Sequence, residues 1–223
     1  MSLMKNLLQH NQPIWDACIA TPFLRKLAGG DLPPAHFASY MLQDAIYLTH
    51  YARSIGSAVA CANELAEMQL FSELLRAVTS DELRVRFAVL SDYGLSAADI
   101  AEAAPLPACK AYLDFLDQAC MTRDQRALLM ALLPCMLSYS YIFRKLASDP
   151  ASRASAYWPF IRDYADATFA DDCVRWQTFA DQRCLNLSLR EQQRLAARFT
   201  RASQLELRFW LMADYPLRGG RHD

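Results

Sequence analysis

A run without a single charge, ALLMALLPCMLSYSYIF at 127–143, constrains this chain more than any other segment. Its positions Leu128, Leu132, Cys135, Tyr139, Ile142 and Leu146 recur at alternating steps of four and three, the spacing of one buried helix face. Pro134 has no N–H to give the carbonyl of Met130, so the helix is predicted to kink one residue before Cys135 and to open room beside the thiol. Tyr139, one turn later, lies on the same face.

Two further helices repeat the spacing with an acid inside the stripe. One reads Phe37, Met41, Asp44, Leu48, Tyr51, Ile55; the other reads Leu195, Phe199, Ala202, Glu206, Phe209, Ala213. A buried carboxylate without a partner is costly, so such a group is paired, neutralised or used. Each feature alone has an ordinary structural explanation. A free cysteine often packs as a small hydrophobe, and a lone acid often pairs with a core Arg, Tyr or backbone group. The coincidence of three such stripes favours a site: three helices aim a thiol, two acids and several tyrosines inward.

The 223 residues are expected to form one helical domain, residues 1–223, with Met1-Ser2-Leu3 read as a cloning remnant. Net charge is −1 and no Lys/Arg block stands out, which excludes a phosphate-backbone footprint. Seven cysteines, an odd number without a CxxC, and no secretory signal at the N-terminus point to a reducing cytoplasm. The uncharged run is short for a membrane span and carries Pro134, Ser138 and Ser140, so a buried core helix is expected and no membrane partner.

Helix punctuation recurs along the chain and no strand signal appears. Helices are predicted from Lys5 to Ala20 across Pro13, from Thr21-Pro22 to Gly29-Gly30, from Pro33-Pro34 to Cys61, and from Asn63 to Tyr93 with Gly94 as the stop. Ser96 caps a short segment that Pro105 and Pro107 break. Thr122 with Gln125 reads as the capping box of the Cys135 helix, and Ser188 with Glu191 as that of the Glu206 helix. Residues 148–159 read as irregular, followed by one helix holding both Tyr164 and Phe169. The fold class is all-α, a bundle of about seven to nine helices.

Metal chemistry finds no support. His10, His36, His50 and His222 complete no Glu-x-x-His pair, and no zinc-type Cys/His cluster is present. There is no GxGxxG and no GxxxxGK[ST]. A thiol activated by a carboxylate, a tyrosine or a local dipole, with an acid to donate a proton and aromatics to sandwich a flat ring, favours covalent catalysis on a planar heterocycle.

Five segments carry a resemblance: FASYMLQDAIYLTHYAR (37–53), AYLDFL (111–116), LLPCMLSYSYI (132–142), YWPFIRDYADATF (157–169) and FTRASQLELRFWLMADY (199–215). Together the chain resembles the TenA/thiaminase II family of thiamine-salvage hydrolases. The resemblance implies a heme-oxygenase-like helical fold without haem, a homotetramer, and hydrolysis of aminopyrimidine or thiamine-derived small molecules without metal or cofactor. It matches Cys135 to the nucleophile that adds to the pyrimidine, Asp44 to the acid on the ring nitrogen and amino group, and Tyr47 to the support of the thiol. Tyr139 and Tyr164 match contacts to the pyrimidine, Tyr112 a pocket hydroxyl, and Glu206 the proton donor and acceptor for leaving group and water. Phe209 is placed with the substrate-binding side chains. The chain departs from the pattern at Leu137, Phe143 and Arg86, where relatives often carry Trp, Gly and His. Rival readings are a PqqC-like cofactor-free oxidase, disfavoured by the few scattered histidines, and a non-catalytic ligand-binding or regulatory protein, disfavoured by an intact Cys135, Asp44 and Glu206.

Overall fold

Prolines and short polar caps set where the helices of this chain begin. The computed structural model describes residues 2–216; Met1 and 217–223, which include His222, lie outside it. Helix α1 (Leu3–Ile19) runs unbroken through Pro13, and α2 (Pro22–Gly29) starts on Thr21 with proline in its first turn. Gly30 ends α2 at φ 82°, a left-handed position where a Cβ would also come within 3.2 Å of the Ser155 Cα. The neighbouring loop holds this end: the Ser155 hydroxyl donates to the Leu27 carbonyl at 2.7 Å and the Tyr157 hydroxyl to that of Leu32 at 2.7 Å.

Helix α3 (Pro34–Ala60) is followed by α4 (Leu65–Arg76), a π-helical turn (Ala77–Glu82) and α5 (Leu83–Asp92). The predicted Asn63–Tyr93 helix is therefore one rod interrupted by a π turn, in which the Leu83 N–H reaches back five residues to the Val78 carbonyl. Gly94, at φ 77°, follows its end. Ser96 and Asp99 form a reciprocal capping box on α6 (Ala97–Glu102), and α7 (Pro107–Met121) opens on a proline.

Helix α8 (Gln125–Ala147) carries Cys135 and continues through Pro134 without a break. The expected Thr122 cap is absent. Thr122 ends α7 instead, its hydroxyl donating to the Ala119 carbonyl, while Asp124 caps α8 by accepting from the Arg126 N–H at 3.0 Å. Gln125 donates instead to Glu67. With 23 residues, α8 is long and apolar enough to cross a membrane, a length the uncharged run alone does not reach. It is buried on nearly every side from Ala127 to Ser140, 83% of its most apolar stretch lying inside the protein.

The expected helix through Tyr164 and Phe169 is two helices, α9 (Trp158–Ala165) and α10 (Ala167–Arg183). Asp166 between them is extended and its carboxylate accepts from the Thr168 N–H at 2.8 Å, starting a new helix where the periodicity alone runs on. A 3-10 turn (Pro150–Ala154) fills part of the irregular stretch before α9. Helix α11 (Leu189–Met212) opens on the predicted Ser188–Glu191 capping box. Eleven α-helices and no strand lie among the described residues, more than the expected bundle because of the π turn and the Asp166 break.

These elements fall into two compact units. One joins α1 and α2 to Leu129–Leu211, and its core includes Trp15, Phe23, Phe143, Phe199 and Trp210. The other is Pro33–Leu128 with residues 212–216; in it α3 packs against α4, the π turn, α5, α6 and α7.

Candidate active site

The three stripes form as spaced. Phe37, Met41, Asp44, Leu48, Tyr51 and Ile55 are all buried, as are Leu195, Phe199, Ala202, Glu206, Phe209 and Ala213. In the α8 stripe, Leu128, Leu132, Tyr139, Ile142 and Leu146 are buried and Cys135 alone is part-exposed. Cys135 is thus the one position of that face open to approach.

Asp44, Tyr47 and Tyr112 belong to the unit built on α3. The Asp44 carboxylate accepts from Arg86 Nε at 2.7 Å and from the hydroxyl of Tyr40, one turn earlier. Both partners of the ion pair are almost fully enclosed, at 3% and 4% side-chain exposure. Arg86 Nη2 also lies 3.5 Å from Glu82 Oε2. Burial raises the Asp44 pKa above the ordinary carboxylate range, while the Arg86 charge and the hydrogen bonds from Arg86 and Tyr40 pull it back. The acid in the stripe is thus paired, and its partner is a residue noted in the sequence only as a departure.

The π turn explains how an arginine reaches this position. Along α4 the buried residues are Glu67, Leu70 and Phe71, and Val78 follows in the π turn. A helix of uniform pitch would carry that face on to Val85. The extra residue of the wide turn advances it to Leu83, Arg86 and Leu90, so Arg86 is buried and Val85 is 39% exposed.

Tyr47 stacks on Tyr51 at 5.6 Å between ring centroids and meets Tyr112 of α7 at 4.7 Å. Gln43, beside Asp44, fixes the start of α7. Its Oε1 accepts from the Leu106 N–H at 2.7 Å, its Nε2 donates to the Ala104 carbonyl at 3.4 Å, and its own carbonyl accepts from the Cys109 thiol at 3.7 Å. Gln43 therefore sets where Tyr112 stands, a role that its place in the quoted motif does not disclose.

Cys135, Tyr139, Tyr164, Glu206 and Phe209 belong to the other unit. Tyr139, one turn after Cys135, meets Tyr164 edge-on at 5.0 Å, Trp210 at 5.2 Å and Phe143 at 5.5 Å. Phe143 also meets Tyr164 at 5.2 Å. This aromatic cluster joins α8, α9 and α11, and Trp210 lies one turn beyond Glu206. Phe143, a departure from the family pattern in the sequence, and Trp210, quoted there only within a matching segment, both pack in this cluster. The Ser138 hydroxyl donates back to the Cys135 carbonyl at 3.2 Å, a bond that supports the backbone just past Pro134.

Three enclosed thiols are held in the protonated form. Burial, then the charge of Glu206, pushes the Cys18 thiol far up; burial, then Asp44, pushes Cys109 up to about 12; burial likewise pushes Cys173 up to about 12. Groups so placed stay protonated and are poor nucleophiles. Among the described residues no cluster of three or more His, Cys, Asp or Glu side chains is suited to a metal ion. A groove of about 530 Å³ lined in part by Trp15, Leu137, Tyr141, Arg144 and Cys173 holds none of the candidate site residues.

Comparison with known proteins places the family and the fold. The profile of the TENA/THI-4/PQQC family matches residues 8–215. An aminopyrimidine aminohydrolase from Halalkalibacterium halodurans is 32% identical, over 96% of this chain and 96% of its own length. A crystal structure of a TenA family transcription regulator from a Silicibacter species superposes with a TM-score of 0.87 at 25% identity, covering 96% of this chain and 97% of that one. A Shewanella denitrificans domain described as having a heme oxygenase-like fold matches at 0.72 and 16% identity, over 94% of this chain and 90% of that one.

Proposed function

Because the chain belongs to the TENA/THI-4/PQQC family, we propose that it is a thiamine-salvage hydrolase that converts aminopyrimidine breakdown products of thiamine to hydroxymethylpyrimidine through a covalent Cys135 intermediate. The observation that carries the reading is the accessibility of Cys135: it is the one part-exposed position on an otherwise closed face, a turn away from the Tyr139–Tyr164–Trp210 cluster. The name of the Halalkalibacterium relative supports the same substrate class.

In this reading Asp44 donates to the pyrimidine ring nitrogen and draws electrons from the ring. The Cys135 thiolate adds to a ring carbon. The side-chain amine departs as Glu206 hands it a proton, which leaves an exocyclic methylene on the ring. Water, deprotonated by Glu206, adds to that methylene, and the ring expels the thiolate as Asp44 recovers its proton. The sum is amine plus water giving alcohol plus ammonia, with no redox change, so neither cofactor nor metal is needed. Tyr47 supports the thiol, and Tyr112, Tyr139, Tyr164 and Phe209 hold the flat ring. Cleavage of thiamine itself follows the same steps with the thiazole as leaving group. A cytoplasmic homotetramer is the proposed working form, to be read by light scattering.

Ammonia release from aminomethylpyrimidine tests the function. Catalytic turnover is expected, with hydroxymethylpyrimidine formed in equal amount. Binding of the pyrimidine without turnover would replace this reading with a ligand-binding role, and oxidation without ammonia would replace it with an oxidase.

A further inference from the structure

Arg86 carries a charge that it cannot lose, and it is enclosed at 3% exposure between two acids. Asp44 is the nearer, at 2.7 Å from Nε; Glu82, one turn before Arg86, is 3.5 Å from Nη2 and 29% exposed. A single buried guanidinium facing two carboxylates has two acceptable charge states. With both acids ionised the group carries one negative charge; with one proton on Asp44 it is neutral. In neither state is the buried cation left unbalanced. With Asp44 protonated, the Glu82 carboxylate still offsets the guanidinium charge in the interior.

We propose that Arg86 and Glu82 form a charge-balancing relay that lets Asp44 give up and take back a proton while buried: Arg86 positions the carboxylate through Oδ2, and Glu82 neutralises the guanidinium whenever Asp44 is protonated. The catalytic use of that proton rests on the hydrolase reading above; the relay itself does not. Because Oδ2 accepts from Nε, a proton there would meet an N–H head-on, so the exchangeable proton sits on Oδ1. It leaves Oδ1 for the pyrimidine ring nitrogen as the thiolate adds, and returns to Oδ1 when the thiolate departs.

The groups facing Asp44 permit this. On its own helix Tyr40 donates to the carboxylate. On α5 stands Arg86, and on the π turn Glu82, acting through Arg86. On α7 the Cys109 thiol, pushed up to about 12 mainly by burial, stays neutral beside it. Burial drives the Asp44 pKa upward, and the Arg86 charge with the hydrogen bonds from Arg86 and Tyr40 opposes the rise. The π turn is part of the device, since it turns Arg86 inward and keeps Glu82 one turn behind it.

The test is two substitutions that move one titration in opposite directions, read in the ligand-free protein. The Asp44 carboxyl is titrated by infrared difference spectroscopy, with Asp44→Asn as the blank. Arg86→Gln is expected to strengthen proton binding at Asp44 by about tenfold or more. Glu82→Gln is expected to weaken it by roughly three- to tenfold, the smaller effect because water screens Glu82. Arg86→Lys keeps the charge and is expected to stay closer to wild type than Arg86→Gln, so it serves if Arg86→Gln fails to fold. A mere packing role would not produce shifts of opposite sign. An unchanged or strengthened proton affinity in Glu82→Gln overturns the proposal, as does an unchanged or weakened one in Arg86→Gln. Ammonia release from aminomethylpyrimidine then separates the two claims: opposite shifts without turnover keep the relay and discard the hydrolase reading, while turnover without opposite shifts does the reverse.

Discussion

Replacing Arg86 by methionine removes the guanidinium but keeps much of its bulk, and leaves the Asp44 charge enclosed with Glu82 nearby. The carboxylate escapes by taking a proton. Starting from the ordinary aspartate value of 3.8, and at about 1.4 kcal/mol per pH unit, that escape costs at most about 4.4 kcal/mol at about pH 7. The figure lies within the range of about 3–5 kcal/mol seen when one member of a buried pair is lost. At about pH 5 the same proton costs only about 1.6 kcal/mol. The sign follows from linkage. Removing Arg86 raises the folded-state pKa of Asp44 further above its unfolded value. The resulting destabilisation is full above the folded pKa and fades as pH falls towards the unfolded one. Adding Asp44→Asn supplies a neutral side chain without a proton, so the double variant is expected to be more stable than Arg86→Met alone at about pH 7. Urea unfolding followed by circular dichroism, for the two singles, the double and the wild type at both pH values, measures this. An Arg86→Met penalty equal at the two pH values, or a double variant less stable than that single, would refute the reasoning.

Cys135→Ser is expected to abolish most turnover while hydroxymethylpyrimidine still binds, because a neutral hydroxyl is a far poorer nucleophile than a thiolate; near-wild-type hydrolysis would remove the covalent step. Glu206→Gln should lower kcat by about 10²–10⁴-fold with little change in product binding, and the two together should be little worse than the poorer single, since both serve one reaction. Exhaustive chelation should leave turnover intact, because neither the sequence motifs nor the described side chains group metal ligands; loss reversed by one added metal would contradict the proposed chemistry.

The helical periodicity was readable wherever burial follows one face. All three stripes, the Ser188–Glu191 box and the ends at Gly30 and Gly94 stand where spacing put them. Three features were not readable, for distinct reasons. Thr122 and Asp124 both suit a cap, and the choice fell to Asp124 once the Thr122 hydroxyl bonded back to Ala119. Asp166 sits in a stretch whose pattern continues through it, so the break between α9 and α10 depends on backbone conformation. Arg86 was the largest gap. Uniform pitch buries Val85 and exposes Arg86; only the five-residue hydrogen bond from Leu83 to Val78 reverses them, and no residue pattern at 77–82 demands it.

The unit that carries Cys135 is assembled from both ends of the chain, and this has a consequence for biosynthesis. Helices α1 and α2 are made first, yet their partners begin at Leu129. Met4, for example, donates through its backbone to Asp181, a partner 177 residues later. At cellular elongation rates the buried faces of Trp15 and Phe23 remain uncovered for on the order of 10–40 s after they emerge. The segment Pro33–Leu128, the larger part of the α3 unit, is continuous and is made in the meantime. The nascent chain therefore passes through a stage in which the α3–α7 segment is already protease-resistant while α1 and α2 are still cleavable, which proteolysis of chains stalled at successive lengths would reveal. Simultaneous protection of both would show that the early helices find shelter before Leu129 is made.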